Sequence, residues 1–304
     1  MKNAKLFSYA ILMLCCIPLL VSCTKTPEKD YDLYKNMQQY LQAKFEAMPG
    51  FQTRDDIVNA FKDYVLKLTL IPRLVFGNSK LEVHLYPEES DHMATACISQ
   101  FEEPPDSGNF SDVAFVVRPN ANIRAPFLHG DALKGMAGMS TSFSMDFYNV
   151  NQDSIDVDEF FGDQIEKLNE GLEIVQEYQR LPEDEGGNRG KYTPHLDPYK
   201  SKYRIEIQLP DTEVEAELKA YHDAALAAFK LFADAYLTAL SRLQPEDDAA
   251  LISGTKTQTD NFINMLIEKD SAAKLGLLLF NTEEKFNYYF KDGFWRAGYY
   301  GPGL

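Results

Sequence analysis

The sequence predicts an α/β (α+β) fold: a three-layer α/β/α sandwich around a central, mostly antiparallel sheet. Three observations predict it. Helical apolar spacing occupies the stretch from Tyr34 to Met48. A block of short strand-like runs follows from Leu81 to Phe147, too closely spaced to carry crossover helices. Helical spacing then returns from Ile165 onwards. A sheet with helices on both sides of it in sequence has enough apolar helix surface to cover both faces. With 45% hydrophobic and 12% aromatic residues, the chain can bury a large core, and residues 33–304 are read as a single domain.

Tyr34, Met37, Leu41, Phe45 and Met48 recur in steps of three and four, one face of a helix that Pro49-Gly50 ends. A second helix is expected after Thr53. Asp55 and Asp56 lie in its first turn, and Ile57, Phe61, Tyr64 and Leu68 share a face. The strands follow: Leu81 to Tyr86, Met93 to Phe101, Val113 to Val117, Phe127 to Leu133 and Met139 to Phe147. They are rich in β-branched and aromatic residues and separated by Pro, Gly, Asn and Asp. Gaps of hairpin length make an antiparallel meander. Phe143, Met145 and Phe147 alternate with polar residues, marking one buried face. Ile165, Leu168, Leu172 and Val175 form a helical stripe, and residues 182–198 read as a loop rich in Gly and charge. Tyr203, Ile205 and Ile207 alternate as one more strand. A long helix turns Leu218, Tyr221, Phe229, Phe232, Tyr236 and Leu240 inward. Phe262 to Ile267 and Leu275 to Phe280 read as two closing helices joined near Asp270.

Ahead of the domain, Lys2 and Lys5 precede an apolar run, Leu6 to Val21, that closes on Leu20-Val21-Ser22-Cys23. A basic start, a short apolar stretch and a small-residue close predict a signal peptide over residues 1–22. The stretch is short for a membrane-spanning helix. Leu-Val-Ser-Cys resembles the lipobox of bacterial lipoproteins, in which the cysteine is lipidated and becomes the first mature residue. Cys23 is thus the expected lipid anchor to a membrane, residues 24–32 a tether, and the location periplasmic or at the cell surface. An ordinary secretory signal and the first half of a two-part plastid leader are the alternatives. Cys15 and Cys16 lie in the leader, so Cys97 alone remains as a thiol, with no internal disulfide and no cysteine-based zinc site. It is read as a small core residue. The formal net charge is -16, and losing Lys2 and Lys5 with the leader makes it two units more negative. Such a surface repels nucleic acid and anionic headgroups.

Common catalytic signatures are missing. There is no Gly-x-Ser-x-Gly elbow, no Gly-x-Gly-x-x-Gly fingerprint, and Gly135-Met136-Ala137-Gly138 lacks the lysine and hydroxyl of a phosphate loop. The histidines at 84, 92, 129, 195 and 222 are dispersed, so no metal site is predicted. What remains is proton transfer by carboxylates, with electrons or cofactor supplied from outside. Asp131 is the candidate, because it ends an otherwise apolar approach, Ala125-Pro126-Phe127-Leu128-His129-Gly130-Asp131, inside a strand. A buried carboxylate is costly, so it is either paired, with Arg124 or Lys134 in reach, or held for chemistry.

The run from Phe115 to Tyr148 resembles the central sheet of the ferredoxin-dependent bilin reductases. That family has a hydrophobic strand ending in Phe-Pro, a short polar connection, Leu-Pro-Leu-Phe-Gly-x-Asp, a Gly-rich turn, and a strand ending in Ala-Asp-Leu-x-Pro. Here Val116-Val117-Arg118-Pro119, then Ala125 to Asp131, Gly135 to Gly138, and Met145-Asp146-Phe147 stand in that order. Tyr203 to Ile207, Asn264 to Leu279 and Tyr288 to Trp295 resemble the family's later strand, its helix junction and its closing aromatic segment. In pieces, the resemblance covers residues 80 to 295.

The resemblance implies an α/β/α sandwich that binds an open-chain tetrapyrrole, biliverdin or a related bilin, between the sheet and the C-terminal helices. It implies an oxidoreductase that takes electrons singly from ferredoxin or another redox protein and holds no metal or flavin of its own. Protons come from an aspartate on the sheet, matching Asp131, and in several members from one at the helix junction, matching Asp270. Asp270 equally suits a helix N-cap, since Ser271-Ala272-Ala273 follows it. The phycocyanobilin-forming members also use a histidine and a glutamate, where this chain has Ala114 and a small residue near Ala96. His129 shares the parity of Asp131 and is the candidate substitute, and equally suits a solvent-exposed or structural histidine. Arg118 suits a bilin propionate, but more readily a surface ion pair. Asp146 is read as ending a strand and capping a turn, and the aromatic cluster from Tyr288 to Trp295 as core.

Lipobox and resemblance pull apart, because ferredoxin does not meet a periplasmic lipoprotein, and its acidic surface docks on basic patches. The second reading is therefore a non-catalytic, tetrapyrrole-binding envelope lipoprotein.

Overall fold

The computed structural model describes residues 33–48, 51–52, 64–65, 80–87, 90–102, 111–134, 142–151, 155–179, 195–208, 212, 214–269 and 282–304. The leader, Cys23, the tether, most of the helix expected after Thr53, the turn at 135–138, Asp270 and the helix expected over 275–280 lie outside these residues.

Helix α1 (Leu33–Glu46) buries Leu33, Tyr34, Met37, Leu41 and Phe45, as its spacing requires. The strands are β1 (Tyr64–Val65), β2 (Lys80–Tyr86), β3 (Met93–Glu102), β4 (Ser111–Pro119), β5 (Phe127–Lys134), β6 (Ser142–Tyr148) and β7 (Ile205–Gln208). β1 corrects the helix expected through Tyr64, because Tyr64 and Val65 pair with Leu81 and Lys80 at the sheet edge. They form one seven-stranded sheet in chain order, with every neighbouring pair antiparallel. Between β6 and β7 come α2 (Val157–Phe161) and α3 (Ile165–Ile174). After β7 come α4 (Glu215–Leu240), α5 (Ala249–Lys269), α6 (Glu283–Asn287) and a π-helical segment, Tyr288–Phe294. Side-chain caps start three of these helices. Asp156 accepts from Asp158 N and Glu159 N, Asp248 from Ala250 N and Leu251 N, and Thr282 from Lys285 N.

The architecture is the α/β/α sandwich that the element order implies, because the sheet has an apolar layer on each side. One layer joins α1, α3 and α4 to Ile98, Phe115, Leu128, Phe143, Met145 and Phe147. Phe147 is central, edge-on to Phe161 at 4.6 Å and stacked on Phe232 at 5.5 Å and Tyr236 at 5.8 Å. Buried Tyr236 satisfies its hydroxyl by donating to Pro126 O at 2.7 Å. The opposite layer joins Phe262, Ile263 and Leu266 of α5, with Phe286, Phe294 and Trp295, to Val83, Leu85, Cys97, Val116, Phe127 and Tyr148. Cys97 is a buried free thiol whose pKa burial pushes well up. Among the described residues, no helix is long and apolar enough to cross a membrane.

Candidate active site

β5 runs unbroken from Phe127 to Lys134, so alternate side chains share a face. Phe127 and Leu133 pack in the layer beneath the C-terminal elements. His129 and Asp131, of the same parity, therefore project from that face. Gly130 between them faces the other way. A Cβ there would lie 2.4 Å from Phe115 Cζ and 2.7 Å from Ser144 O, so only glycine lets β5 sit this close.

The register sets two rungs across the sheet. The first is Ser99, Ala114, Asp131, Ser144 and Glu206. Ser144 Oγ donates to Asp131 Oδ1 at 2.8 Å, which fixes the half-buried carboxyl in the middle of the rung. At its far side, Ser99 Oγ shares a short hydrogen bond with the hydroxyl of Tyr289 from the π-helical segment. Burial pushes the Tyr289 phenol well up, so it stays protonated. Arg124, a candidate partner for Asp131, pairs with Glu246 at 3.6 Å. The Lys134 side chain lies outside the described residues.

The second rung is Cys97, Val116, His129 and Asp146. The His129 ring lies between Tyr148 (5.5 Å, 25°) and Trp295 (5.5 Å, 13°), with Phe294 edge-on at 6.3 Å. The ring is thus packed among aromatic neighbours from β6 and the C-terminal segment.

Asp146 lies inside β6 rather than at a turn, and it is buried. Its Oδ1 accepts from Ser201 N at 3.0 Å, Ser201 Oγ at 2.9 Å and Phe147 N at 2.6 Å. Desolvation pushes its pKa up to about 7, against the pull of those hydrogen bonds and of Arg204. Sequence reasoning passed over this buried acid of the face. The signal was its parity with Ser144 and Tyr148.

Arg118 corrects the expectation of a surface pair. It is 1% exposed. Its Nε donates to Trp295 O at 3.3 Å, and its Nη2 donates to Arg296 O at 2.9 Å and to Tyr299 O. The observed work of this guanidinium is to clamp the C-terminal tail, and burial with Arg296 nearby lowers its pKa to about 10. Ala96 packs in the layer with α1 and α4, while its small neighbours Cys97 and Ser99 face the candidate site. Among the described residues, no group of three His, Cys, Asp or Glu side chains is placed to hold a metal ion.

Fold and site together define an α/β/α sandwich with an acid-bearing sheet face beneath its C-terminal elements. Phytochromobilin synthase from tomato, solved in complex with biliverdin, is similar to it with a TM-score of 0.64 over 86% of this chain and 82% of that one. The sequences are 14% identical, so the likeness is one of fold. No protein-family model matches the sequence, and no curated protein matches it.

Proposed function

We propose that this protein binds a linear tetrapyrrole, biliverdin or a related bilin, on the sheet face that carries Asp131, and reduces it. The observation that carries the reading is the Asp131 carboxyl, fixed by Ser144 in the middle of that face, in a fold shared with an enzyme solved with biliverdin. The balanced step is a two-electron reduction. The bilin takes two electrons, one at a time, from an external one-electron donor and two protons from the protein, and one double bond of the conjugated system is saturated. Asp131 delivers the first proton and is refilled from solvent, to which it is partly open. His129, of the same parity on β5, is one candidate for the second proton, and Asp270, matched through the family resemblance, is the other. No cofactor resident in the protein is part of this scheme.

The donor is a ferredoxin-like redox protein in function, but the acidic surface argues for a partner less acidic than ferredoxin itself. Anchorage through lipidated Cys23, at the periplasmic face or cell surface, belongs to the same proposal. That leader and the acidic surface also favour the second reading, a tetrapyrrole-binding lipoprotein without turnover.

The experiment adds biliverdin and a chemical one-electron donor to the detergent-solubilised full chain. A shifted spectrum that progresses to a reduced bilin is expected, and Asp131→Asn is expected to lower the rate by roughly 100-fold or more. A stable shifted spectrum selects the second reading. An undiminished yield from Asp131→Asn removes Asp131 from the mechanism.

A further inference from the structure

The chain has one tryptophan, Trp295, and it lies on the candidate site's face. Its ring is parallel to the His129 imidazole at 5.5 Å and edge-on to Phe262 and Phe294 at 5.8 and 5.7 Å. The residue is 1% exposed, and its indole Nε1–H meets no acceptor. An indole nitrogen only donates. A buried donor without an acceptor is costly and is rare in native proteins unless something else uses it. Thr95 Oγ1 on β3, opposite Arg118, is also unmet, but a hydroxyl can rotate to donate or accept.

The indole is held before any ligand arrives. Its own backbone N–H donates to Phe290 O at 3.0 Å, and its carbonyl accepts from buried Arg118 at 3.3 Å. Two other polar groups on this face have partners, Ser144 with Asp131 and Ser99 with Tyr289. A fixed, neutral, unmet donor is suited to a neutral carbonyl oxygen.

We propose that Trp295 Nε1–H donates to a lactam carbonyl of an open-chain tetrapyrrole, and that this bond selects open-chain over closed-ring ligands. The proposal rests on the bilin reading above and narrows it. Opening a porphyrin ring creates two terminal lactam carbonyls. Protoporphyrin IX has the same propionates and a similar apolar surface but no such oxygen. A site built to hydrogen-bond one ligand discriminates against the analogue that leaves its buried donor unpaired.

A single tryptophan makes the test direct, because indole-15N labelling of the full chain gives one side-chain resonance. Biliverdin or protoporphyrin IX is titrated in mild detergent while absorbance reports binding independently. The expected result is a downfield shift of the indole proton with biliverdin only. Trp295→Phe is expected to lose about tenfold in biliverdin affinity and to keep its protoporphyrin affinity. Biliverdin binding with an unmoved or upfield-shifted indole proton overturns the proposal, as does an equal loss for both ligands in the variant. Wild-type protein that binds no biliverdin overturns the bilin reading and this inference together. The resonance measurement needs no variant, so a poorly folding Trp295→Phe leaves the proposal testable.

Discussion

Replacing Asp146 by Asn should stabilise the protein at neutral and higher pH and flatten its pH dependence. The carboxyl is buried, and its pKa is raised from 3.8 to about 7. Asn keeps an oxygen for the three donors that Oδ1 now accepts, Ser201 N, Ser201 Oγ and Phe147 N. It removes only the charge. The sign follows from proton binding. Between the unfolded and folded pKa values the native state holds the proton and the unfolded state has lost it, so stability falls as pH rises through that window. The penalty is absent below about pH 4 and complete above about pH 7, where it reaches about 4 kcal/mol. Urea unfolding between pH 5 and pH 8, followed by the fluorescence of Trp295, reads it. Wild type should lose about 3 kcal/mol more than Asp146→Asn across that range. Parallel stability curves for the two proteins would refute the argument, since they would mean that Ser201, Phe147 and Arg204 already compensate the desolvation in full.

Gly130→Ala drives a methyl group into the Phe115 ring and the Ser144 carbonyl. Phe115 is itself packed edge-on against Phe229 at 5.3 Å, so it cannot swing away. A loss of about 1–3 kcal/mol is expected in chemical denaturation. Arg118→Met leaves the carbonyls of Trp295, Arg296 and Tyr299 without their donor. A loss of about 2–4 kcal/mol is expected, with limited proteolysis releasing the segment after Phe286 before the sheet is cut. Equal protease resistance of that segment in variant and wild type would show that the clamp is dispensable.

The helices and strands could be read from residue spacing because spacing is local. Tyr34, Met37, Leu41 and Phe45 can share one side only on a helix, and all four are buried. Phe143, Met145 and Phe147 can share one side only on a strand, and they are buried together. Parity likewise puts His129 on the side of Asp131 before any coordinates are known. Parity does not say which layer that side meets. Arg118 shows the gap, since its burial depends on carbonyls up to 181 positions away, returned to β4 by the C-terminal tail. Asp146 was misjudged for the same reason. Ser201, 55 positions on, supplies two of its three donors, and nothing near Asp146 in sequence announces that contact.

The sequence by itself determined helix α1, strands β2 to β7 with their antiparallel meander, helices α3 and α4, and the placing of Asp131 and His129 on one side of β5. Apolar period and turn chemistry act over a few residues, so they are legible one segment at a time. Only the tertiary structure decided that Asp146 joins that side as a buried acid, that Arg118 is spent on the tail, and that Trp295 lies against His129. Those outcomes depend on which distant segment displaces water from each face, and desolvation is a property of the packed whole.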